Sequence, residues 1–342
     1  MKSNSKTKVA SLVTAALLAL IALFGMTACP NNAGGNTDSA SGGNTGGLEL
    51  PQAPLVQGGA SLILSPDKLT IKVKATTSDN SPITVEGCDK TELASGTQTE
   101  LKAKGTKVVL KGKITNLFCG GNKLTALNVQ GLNALKYLDC YSNRLTELNV
   151  QGLNALKYLD CTRNKLTALN VQGLNALKNL DCYSNRLTEL NVQGLNALKY
   201  LSCGGNKLTA LNVQGLNALQ SLHCGSNKLT ALNVQGLNAL QGLYCEGNQL
   251  TALNVQGCTS LQYLYCHKNQ LTADAFIKLF NDLPQRTANE GAQCNLYTEQ
   301  SGVIEGNHKD FTSPGELKTA FDNAKTVKKW KMYKYDRDWV EI

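Results

Sequence analysis

The chain has 342 residues and a formal net charge of +9, and 42% of its residues are hydrophobic. This length is enough for two or three domains. Its 12 cysteines would normally indicate a disulfide framework in an exported chain. Eight of them recur at one position of an internal repeat, however, so their number does not indicate such a framework.

The N-terminus has the pattern of an export signal. Three lysines lie within the first eight residues, and residues 9–24 form an apolar run without charge. This pattern predicts a signal peptide over residues 1–28. The run ends close to Cys29, and the small residues before this cysteine resemble a bacterial lipobox, although Met26 replaces the usual aliphatic residue. We therefore expect lipidation at Cys29 and anchoring to the outer membrane at the cell surface; the alternative is cleavage near Ala28 without lipid.

The next two segments differ sharply in composition. Residues 29–57 are rich in Gly, Asn, Ser and Thr, which predicts a flexible tether with a reach of ~25–30 Å. Residues 58–113 contain short runs of alternating apolar and polar residues between turns, most strictly around Leu69, Ile71 and Val73. These runs predict a small β-domain. We expect it to cap the N-terminal end of the repeats that follow.

A 21-residue unit fills residues 114–272 and is clearest as LKYLDCYSNRLTELNVQGLNA at residues 135–155. Its apolar positions read L-x-x-L-x-C-x-x-N-x-L, which is the leucine-rich repeat signature with cysteine at the third core position. A period of this length predicts a solenoid. The eight copies start at Ile114, Leu135, Leu156, Leu177, Leu198, Leu219, Leu240 and Leu261.

The spacing within one unit predicts which side chains are buried. Leu138 and Cys140 are two residues apart and therefore point to the same side of a strand, whereas Asp139 and Tyr141 point to the other. Stacked copies would form a parallel sheet roughly 40 Å across. The return segment is too short for a full helix, so we expect turns or short 3₁₀ pieces there. The predicted fold is an α/β-type solenoid, a leucine-rich repeat horseshoe with a parallel concave sheet.

Two columns of identical residues should hold the stack together. Asparagine can supply both a donor and an acceptor to buried backbone, so we interpret this column as structural: Asn122, Asn143, Asn164, Asn185, Asn206, Asn227, Asn248 and Asn269. Cysteine is a small hydrophobe that suits a narrow core, and a straight column of ligands does not converge on a metal. We interpret this second column as buried filler: Cys119, Cys140, Cys161, Cys182, Cys203, Cys224, Cys245 and Cys266.

After the repeats the pattern lengthens, and residues 273–342 predict an α+β cap. The predicted elements are a helix capped by Thr272 and ending at Pro284, a strand at residues 294–297, a helix opening with a capping box at Ser313 to Glu316, and a strand at residues 330–332. We interpret them as two longer, degenerate repeats. An independent small α+β domain is the alternative.

Aromatic side chains concentrate at outward strand positions. A concave sheet that carries rigid aromatic residues is typical of a protein-binding surface. The alternative is that tyrosine simply suits strands. The candidate ligand-binding residues are Phe118, Tyr137, Tyr141, Tyr158, Tyr183, Tyr200, Tyr244, Tyr263 and Tyr265.

Basic residues also form columns. One lies where the strands end and includes the candidate binding residues Arg144, Lys165 and Arg186; another lies where they begin. Both columns become glutamine in the last repeats, and three aspartates along the centre partly offset them. Because neighbouring charges lie within one Debye length, the strand-end column could attract an acidic protein or an anionic polymer. The alternative is a solvated edge that keeps the repeats soluble.

Catalytic patterns are weak. Asp181, Ser202 and His223 occupy one strand position in consecutive repeats, but serine stands between the other two, whereas a triad needs histidine there. Glu246 and His267 are too few ligands for a metal on an open face. The sequence therefore predicts no enzyme, no metal, no cofactor and no nucleic-acid partner.

The segments LDCYSNRLTELNVQGLNALKY, LYCEGNQLTALNVQGCTSLQY and GTKVVLKGKITNLFCGGNKLT resemble 21-residue leucine-rich repeats of bacterial surface lipoproteins, notably those of treponemes and Bacteroidetes. The resemblance covers about residues 58–342. It implies attachment to host proteins or cells and coaggregation with other bacteria, and no binding residues carry over from it. The expected function is a surface adhesin for host extracellular matrix or cell-surface proteins or other bacteria, held at the membrane by its N-terminal lipid. A periplasmic assembly scaffold is the alternative.

Overall fold

The computed structural model describes residues 52–342. The signal peptide, Cys29 and most of the predicted tether lie outside the described residues. Six strands precede the repeats: β1 (Gly59–Ile63), β2 (Thr70–Thr77), β3 (Ile83–Glu86), β4 (Glu92–Leu93), β5 (Thr99–Lys102) and β6 (Lys107–Lys111).

The repeats contribute one short strand each, together with one extra strand in the first copy. These strands are β7 (Ile114–Phe118), β8 (Ala126–Asn128), β9 (Tyr137–Asp139), β10 (Tyr158–Asp160), β11 (Asn179–Asp181), β12 (Tyr200–Ser202), β13 (Ser221–His223), β14 (Gly242–Tyr244) and β15 (Tyr263–Tyr265). The remaining elements are α1 (Ala273–Asp282), a 3₁₀ turn (Ala288–Glu290), β16 (Gln293–Thr298), α2 (Glu316–Thr326), β17 (Lys331–Asp336) and β18 (Asp338–Glu341).

The repeat strands form one parallel sheet in strict register. Leu138 pairs with Leu159, and Leu159 with Leu180, so that equivalent residues of successive copies stand side by side. With the strands of both ends added, this sheet has 13 strands in the order β18-β17-β16-β15-β14-β13-β12-β11-β10-β9-β7-β2-β5. The predicted leucine-rich repeat solenoid with a parallel sheet is confirmed.

The inward positions form a continuous apolar core. Leu138, Cys140 and Leu145 are fully buried, as are their equivalents in the other copies. All eight cysteines of the repeat column are free and buried. The inward assignment of leucine and cysteine from the spacing is therefore confirmed.

The asparagine column joins consecutive copies. The side-chain oxygen of Asn164 accepts the backbone N–H of Leu145 at 3.0 Å. Its amide donates to the backbone oxygens of Cys140 and Cys161, both at 3.0 Å. Since this side chain satisfies buried backbone groups of two neighbouring repeats, the structural interpretation of the column is confirmed.

The return segments are turns rather than helices, as their length predicted. The side chain of Asn149 accepts the N–H of Gln151 at 3.0 Å, which closes the turn after the core residue Val150. The amide of Gln151 then donates to the backbone oxygen of Asn170 in the next copy at 2.9 Å. Side-chain hydrogen bonds therefore link neighbouring repeats on this side too.

The strands that precede the repeats form two layers at the N-terminal end. Strand β2 pairs antiparallel with β7, and β5 pairs with β2, so this part extends the main sheet. The other strands form a second sheet in the order β4-β3-β6-β1-β8, which recruits β8 from the first repeat. The open end of the solenoid core is covered in this way.

The C-terminal segment continues the same sheet, which favours two longer repeats over an independent domain. Strand β16 lies parallel to β15, and β17 lies parallel to β16. The Thr272 hydroxyl caps α1 through the N–H of Ala275 at 3.2 Å, as predicted. The predicted capping box at Ser313 is wrong, because the Ser313 hydroxyl donates to Asp310 instead and α2 begins after Gly315 without a side-chain cap.

Candidate functional site

The outward face of the parallel sheet offers three positions in each repeat. In the second copy these are the first outward position at Tyr137, the second at Asp139 and the third at Tyr141. The intervening Leu138 and Cys140 are buried, so the three side chains share one face. Because the strands are in register, each position forms a column that runs across the repeats.

The structure places all nine predicted aromatic residues on this outward face. Four of the tyrosines are strongly exposed: Tyr141 (45%), Tyr183 (43%), Tyr200 (46%) and Tyr263 (37%). No other tyrosine, phenylalanine or tryptophan among the described residues is exposed to this extent. Contact of these residues with a ligand stays a prediction.

An N-terminal aromatic ladder is formed by Phe118, Tyr137 and Tyr158. The ring centroids of Phe118 and Tyr137 are 4.7 Å apart. The rings of Tyr137 and Tyr158 stack at 4.0 Å with planes only 3° from parallel. Stacking restricts both rings, which lowers the entropy lost when a ligand packs against them.

A C-terminal aromatic ladder consists of His223, Tyr244, Tyr265 and Trp339. His223 stacks on Tyr244 at 4.0 Å with an interplanar angle of 12°, and Tyr244 meets Tyr265 edge-on at 4.9 Å. Trp339 follows at 5.6 Å from Tyr265 and also lies 5.3 Å from the ring of His267. The sequence did not identify Trp339, because it comes from β18, which has no counterpart in the repeats.

Between the two ladders the first two outward positions carry short polar side chains, except for Tyr200. Here the face contains a depression of about 410 Å³, which we call the central depression. The residues around it are Tyr158, Asn179, Leu180, Asp181, Tyr200, Leu201, Ser202, Ser221 and His223.

Three aspartates occupy the second outward position in consecutive repeats. One carboxylate oxygen of each accepts the backbone N–H two residues later, at 3.3 Å for Asp139, 2.9 Å for Asp160 and 3.1 Å for Asp181. Burial is the main cause that raises the pKa of Asp139 and Asp181, and the negative charge of Asp160 between them adds to it. The centre of the face is therefore acidic.

The strand-end basic column is partly neutralised. Both terminal nitrogens of Arg144 lie 3.2 Å from the carboxylate of Asp67, and Lys123 Nζ lies 3.1 Å from it. This gives Arg144 a structural partner that the sequence did not predict. Any ligand contact of Arg144 would compete with the pair. Lys165 and Arg186 are exposed and make no ion pair within residues 52–342.

A larger cavity of about 790 Å³ lies where β2 meets the first repeat, and its charged groups are already engaged. Lys72 lies 3.9 Å from Glu100, and Lys74 lies over the ring of Phe118 at 5.5 Å. Lys68 Nζ donates to the backbone oxygen of Gly121 at 2.7 Å. Because its cations have partners, this cavity is a weaker candidate than the central depression.

The geometry offers no catalytic relay at the Asp181, Ser202 and His223 positions. These residues lie side by side in register, with Ser202 in the middle. The ring of His223 stacks on Tyr244 instead of bridging the other two.

The two residues considered for a metal also point apart. The carboxylate of Glu246 lies over Gly225, 2.3 Å from where a Cβ would stand, and so turns toward the preceding repeat. His267 packs against Trp339 on the other side. Across residues 52–342, no three His, Cys, Asp or Glu side chains are grouped to hold a metal, and no helix is long and apolar enough to cross a membrane.

No protein-family model matches the chain, and neither does any curated protein. Similarity to solved structures is found. The functional domain of InlJ from Listeria monocytogenes, which includes a cysteine ladder, is 34% identical over 54% of this chain and 39% of that structure, with a TM-score of 0.47. A leucine-rich repeat protein of Leptospira interrogans is 27% identical over 59% of this chain and 49% of that structure, with a TM-score of 0.46.

YopM, a leucine-rich effector protein from Yersinia pestis, is 27% identical over 41% of this chain and 39% of that structure, with a TM-score of 0.39. The chain therefore spans less than half the length of each of these three structures.

Proposed function

We propose that this chain is a lipid-anchored bacterial surface protein that binds other macromolecules, namely host proteins or other bacteria, through the outward face of its parallel sheet. The observation that carries the proposal is the concentration of exposed tyrosines on that single face. Rigid aromatic side chains supply large contact area at a low entropic cost, which is why they dominate binding surfaces.

The return side of the repeats contrasts with this face. Gln151 and Gln172 each donate to the backbone of the next copy, and this side presents short polar side chains without aromatic residues. Such a surface supplies few anchors for a partner. We therefore assign binding to the sheet face alone.

Export and anchoring rest on the sequence of residues 1–29. A basic start, an apolar run and a cysteine after small residues support lipidation at Cys29. A lipid followed by a flexible tether would hold the repeats away from the membrane, within reach of an external partner.

The test is a binding screen of the purified chain against immobilised host matrix proteins, followed by variants of the sheet face. Replacing Tyr158 and Tyr200 together by alanine should weaken binding to the identified partner by about 2 kcal/mol or more, because central aromatic anchors dominate affinity. The matched control replaces Gln151 and Gln172 by alanine on the return side. If the affinity is unchanged by the two tyrosine replacements and falls with the two glutamine replacements, the binding site lies on the return side and the proposal is wrong.

The basic column should affect kinetics rather than affinity. Changing Lys165 and Arg186 to glutamine should slow association with an acidic partner, and this effect should fade in high salt. An equal effect at low and high salt would contradict electrostatic steering by this column.

Protease treatment of intact cells tests the location. Digestion of the chain without lysis is expected for a surface protein. Protection until the outer membrane is opened would instead favour a periplasmic scaffold.

A further inference from the structure

The two aromatic ladders each end with an open ring face at the central depression. Tyr137 covers one face of the Tyr158 ring from the preceding strand. The opposite face of Tyr158 is therefore turned toward Asn179 on the next strand. Tyr244 covers the His223 ring from the following strand in the same manner, so the free face of His223 is turned back toward the depression.

Short polar side chains line the space between these two rings, together with Tyr200, which stands between Asn179 and Ser221 in the first outward column. Asn179 and Ser221 stand at the first outward position, and Asp181 and Ser202 stand at the second. Within the described part of the chain, the side chains of Asn179 and Ser221 make no hydrogen bond and are only half-buried. Their amide and hydroxyl groups are thus free to bind a ligand.

We propose that the central depression binds a neutral saccharide residue. This inference rests on the proposed function, because it gives the sheet face a glycan of the partner surface as its ligand. A pyranose ring presents C–H groups on its faces, and these pack well against the partly negative faces of aromatic rings. Tyr158 and His223 provide such faces at the two ends of the depression.

The edge of a saccharide carries hydroxyl groups, which need hydrogen-bond partners when they leave water. Asn179 offers both a donor and an acceptor, and the Asp181 carboxylate offers further acceptors. The Ser221 hydroxyl can donate or accept a hydrogen bond. The depression thus combines aromatic faces with short polar groups, which is the combination that a sugar ring requires.

The charge of the lining disfavours an anionic ligand. None of the described residues around the depression is cationic, so phosphate, sulfate or a carboxylated sugar would find no ion-pair partner there. An extended peptide would need a free sheet edge, whereas the backbones of β11 and β12 are already paired on both sides.

Variants of Asn179 test the inference. Asn179→Tyr would fill the depression, and the column accepts tyrosine in both neighbouring repeats, at Tyr158 and Tyr200. Asn179→Ala removes only the amide. Asn116 occupies the same outward position in β7, away from the depression, so Asn116→Tyr and Asn116→Ala are matched controls. Thermal unfolding of each variant verifies that it is folded.

The measurement is calorimetric titration of the full chain with four neutral oligosaccharides, terminated in glucose, galactose, mannose or N-acetylglucosamine. We expect the unaltered chain to bind at least one of them. Asn179→Tyr should lower that affinity at least ~10-fold and Asn179→Ala by a factor of about 3–10, as expected for lost hydrogen bonds. Both Asn116 variants should stay within about twofold of the unaltered chain.

Three outcomes would overturn the inference: no binding to any of the four sugars, equal losses in the Asn116 variants, or binding only to sulfated or sialylated probes. One result would separate the two proposals. A partner protein would bind equally well after enzymatic deglycosylation, and its binding would be lost when Tyr158 and Tyr200 are replaced. In that case the protein-binding face stands and the saccharide site does not.

Discussion

Asp67 and Arg144 are 77 residues apart in sequence, yet both terminal nitrogens of the guanidinium lie 3.2 Å from the carboxylate. Lys123 Nζ donates to the same carboxylate at 3.1 Å, and Arg144 Nη1 donates to the Ser65 hydroxyl oxygen at 2.8 Å. The turn before β2 is thereby fastened to the first two repeats. Arg144, which belongs to the basic column predicted to attract a ligand, therefore also takes part in this junction.

Asp67→Asn should lower the melting temperature at pH 7. Hydrogen bonds from Ser65 and Lys123, together with Arg144, hold the pKa of Asp67 well below its usual range. A lowered folded-state pKa contributes stability that is present above the unfolded value near ~4 and is lost as the pH falls below it. The difference between the two proteins should therefore narrow below about pH 4, and also in high salt. Identical melting at pH 7 would contradict the junction.

Asn185→Ala should destabilise the chain by about 2–4 kcal/mol, measured by chemical denaturation. The Asn185 side chain accepts the backbone N–H of Leu166 at 3.0 Å and donates to the backbone oxygen of Cys161 at 3.0 Å. Both buried backbone groups would lose these partners in the variant. Asn170→Ala on the exposed return side is the matched control and should cost less than about 1 kcal/mol. Equal losses of stability in the two variants would show that burial does not account for the contribution of Asn185.

The cysteine column should not react with thiol reagents at pH 8 until the chain unfolds. Burial raises the pKa of Cys203 to about 12 and that of Cys140 well above the usual range, so almost no thiolate forms. Cys140→Ser should destabilise by ~1–3 kcal/mol through lost packing and a hydroxyl without an assured partner. Rapid labelling of several of these thiols in the folded chain would refute their inward position.

Cys29→Ala should move the chain from the detergent phase to the aqueous phase in a partition experiment. The small residues before Cys29 resemble a lipobox, so a lipid on this cysteine is the anchor that the sequence predicts. Retention of the variant in the detergent phase would exclude lipidation as the means of attachment.

The repeats could be predicted from sequence because the residue pattern that determines each strand and its turn is local and recurs in eight copies. Alternation at Leu138, Asp139 and Cys140 determines which side chains face the core, and the Asn143 position determines where the strand ends. The outward placement of Tyr137 and Tyr158 follows from the same rule. The gap between the ladders was visible as Asn179 and Ser221 in a column of tyrosines, although their packing was not.

The two ends could not be predicted in this detail because their contacts join segments that share no period. Nothing local in β2 indicates that it pairs antiparallel with β7, since this depends on how two distant segments dock. Trp339 reaches the C-terminal ladder only because β17 and β18 form a hairpin. At Ser313 the local rule failed because Asp310 competes successfully for the hydroxyl.

The return segment has a consequence for how such a chain can change in length. The sequence NVQGLNALK is identical at residues 128–136, 149–157, 170–178 and 191–199, and its turns and glutamine bonds repeat with it. Recombination between any two of these identical stretches adds or deletes whole 21-residue units, which leaves every remaining strand in phase with its neighbours. Loss of the unit that carries Asn179 would place Tyr158 next to Tyr200, so a change in repeat number would also change the side chains that this face presents.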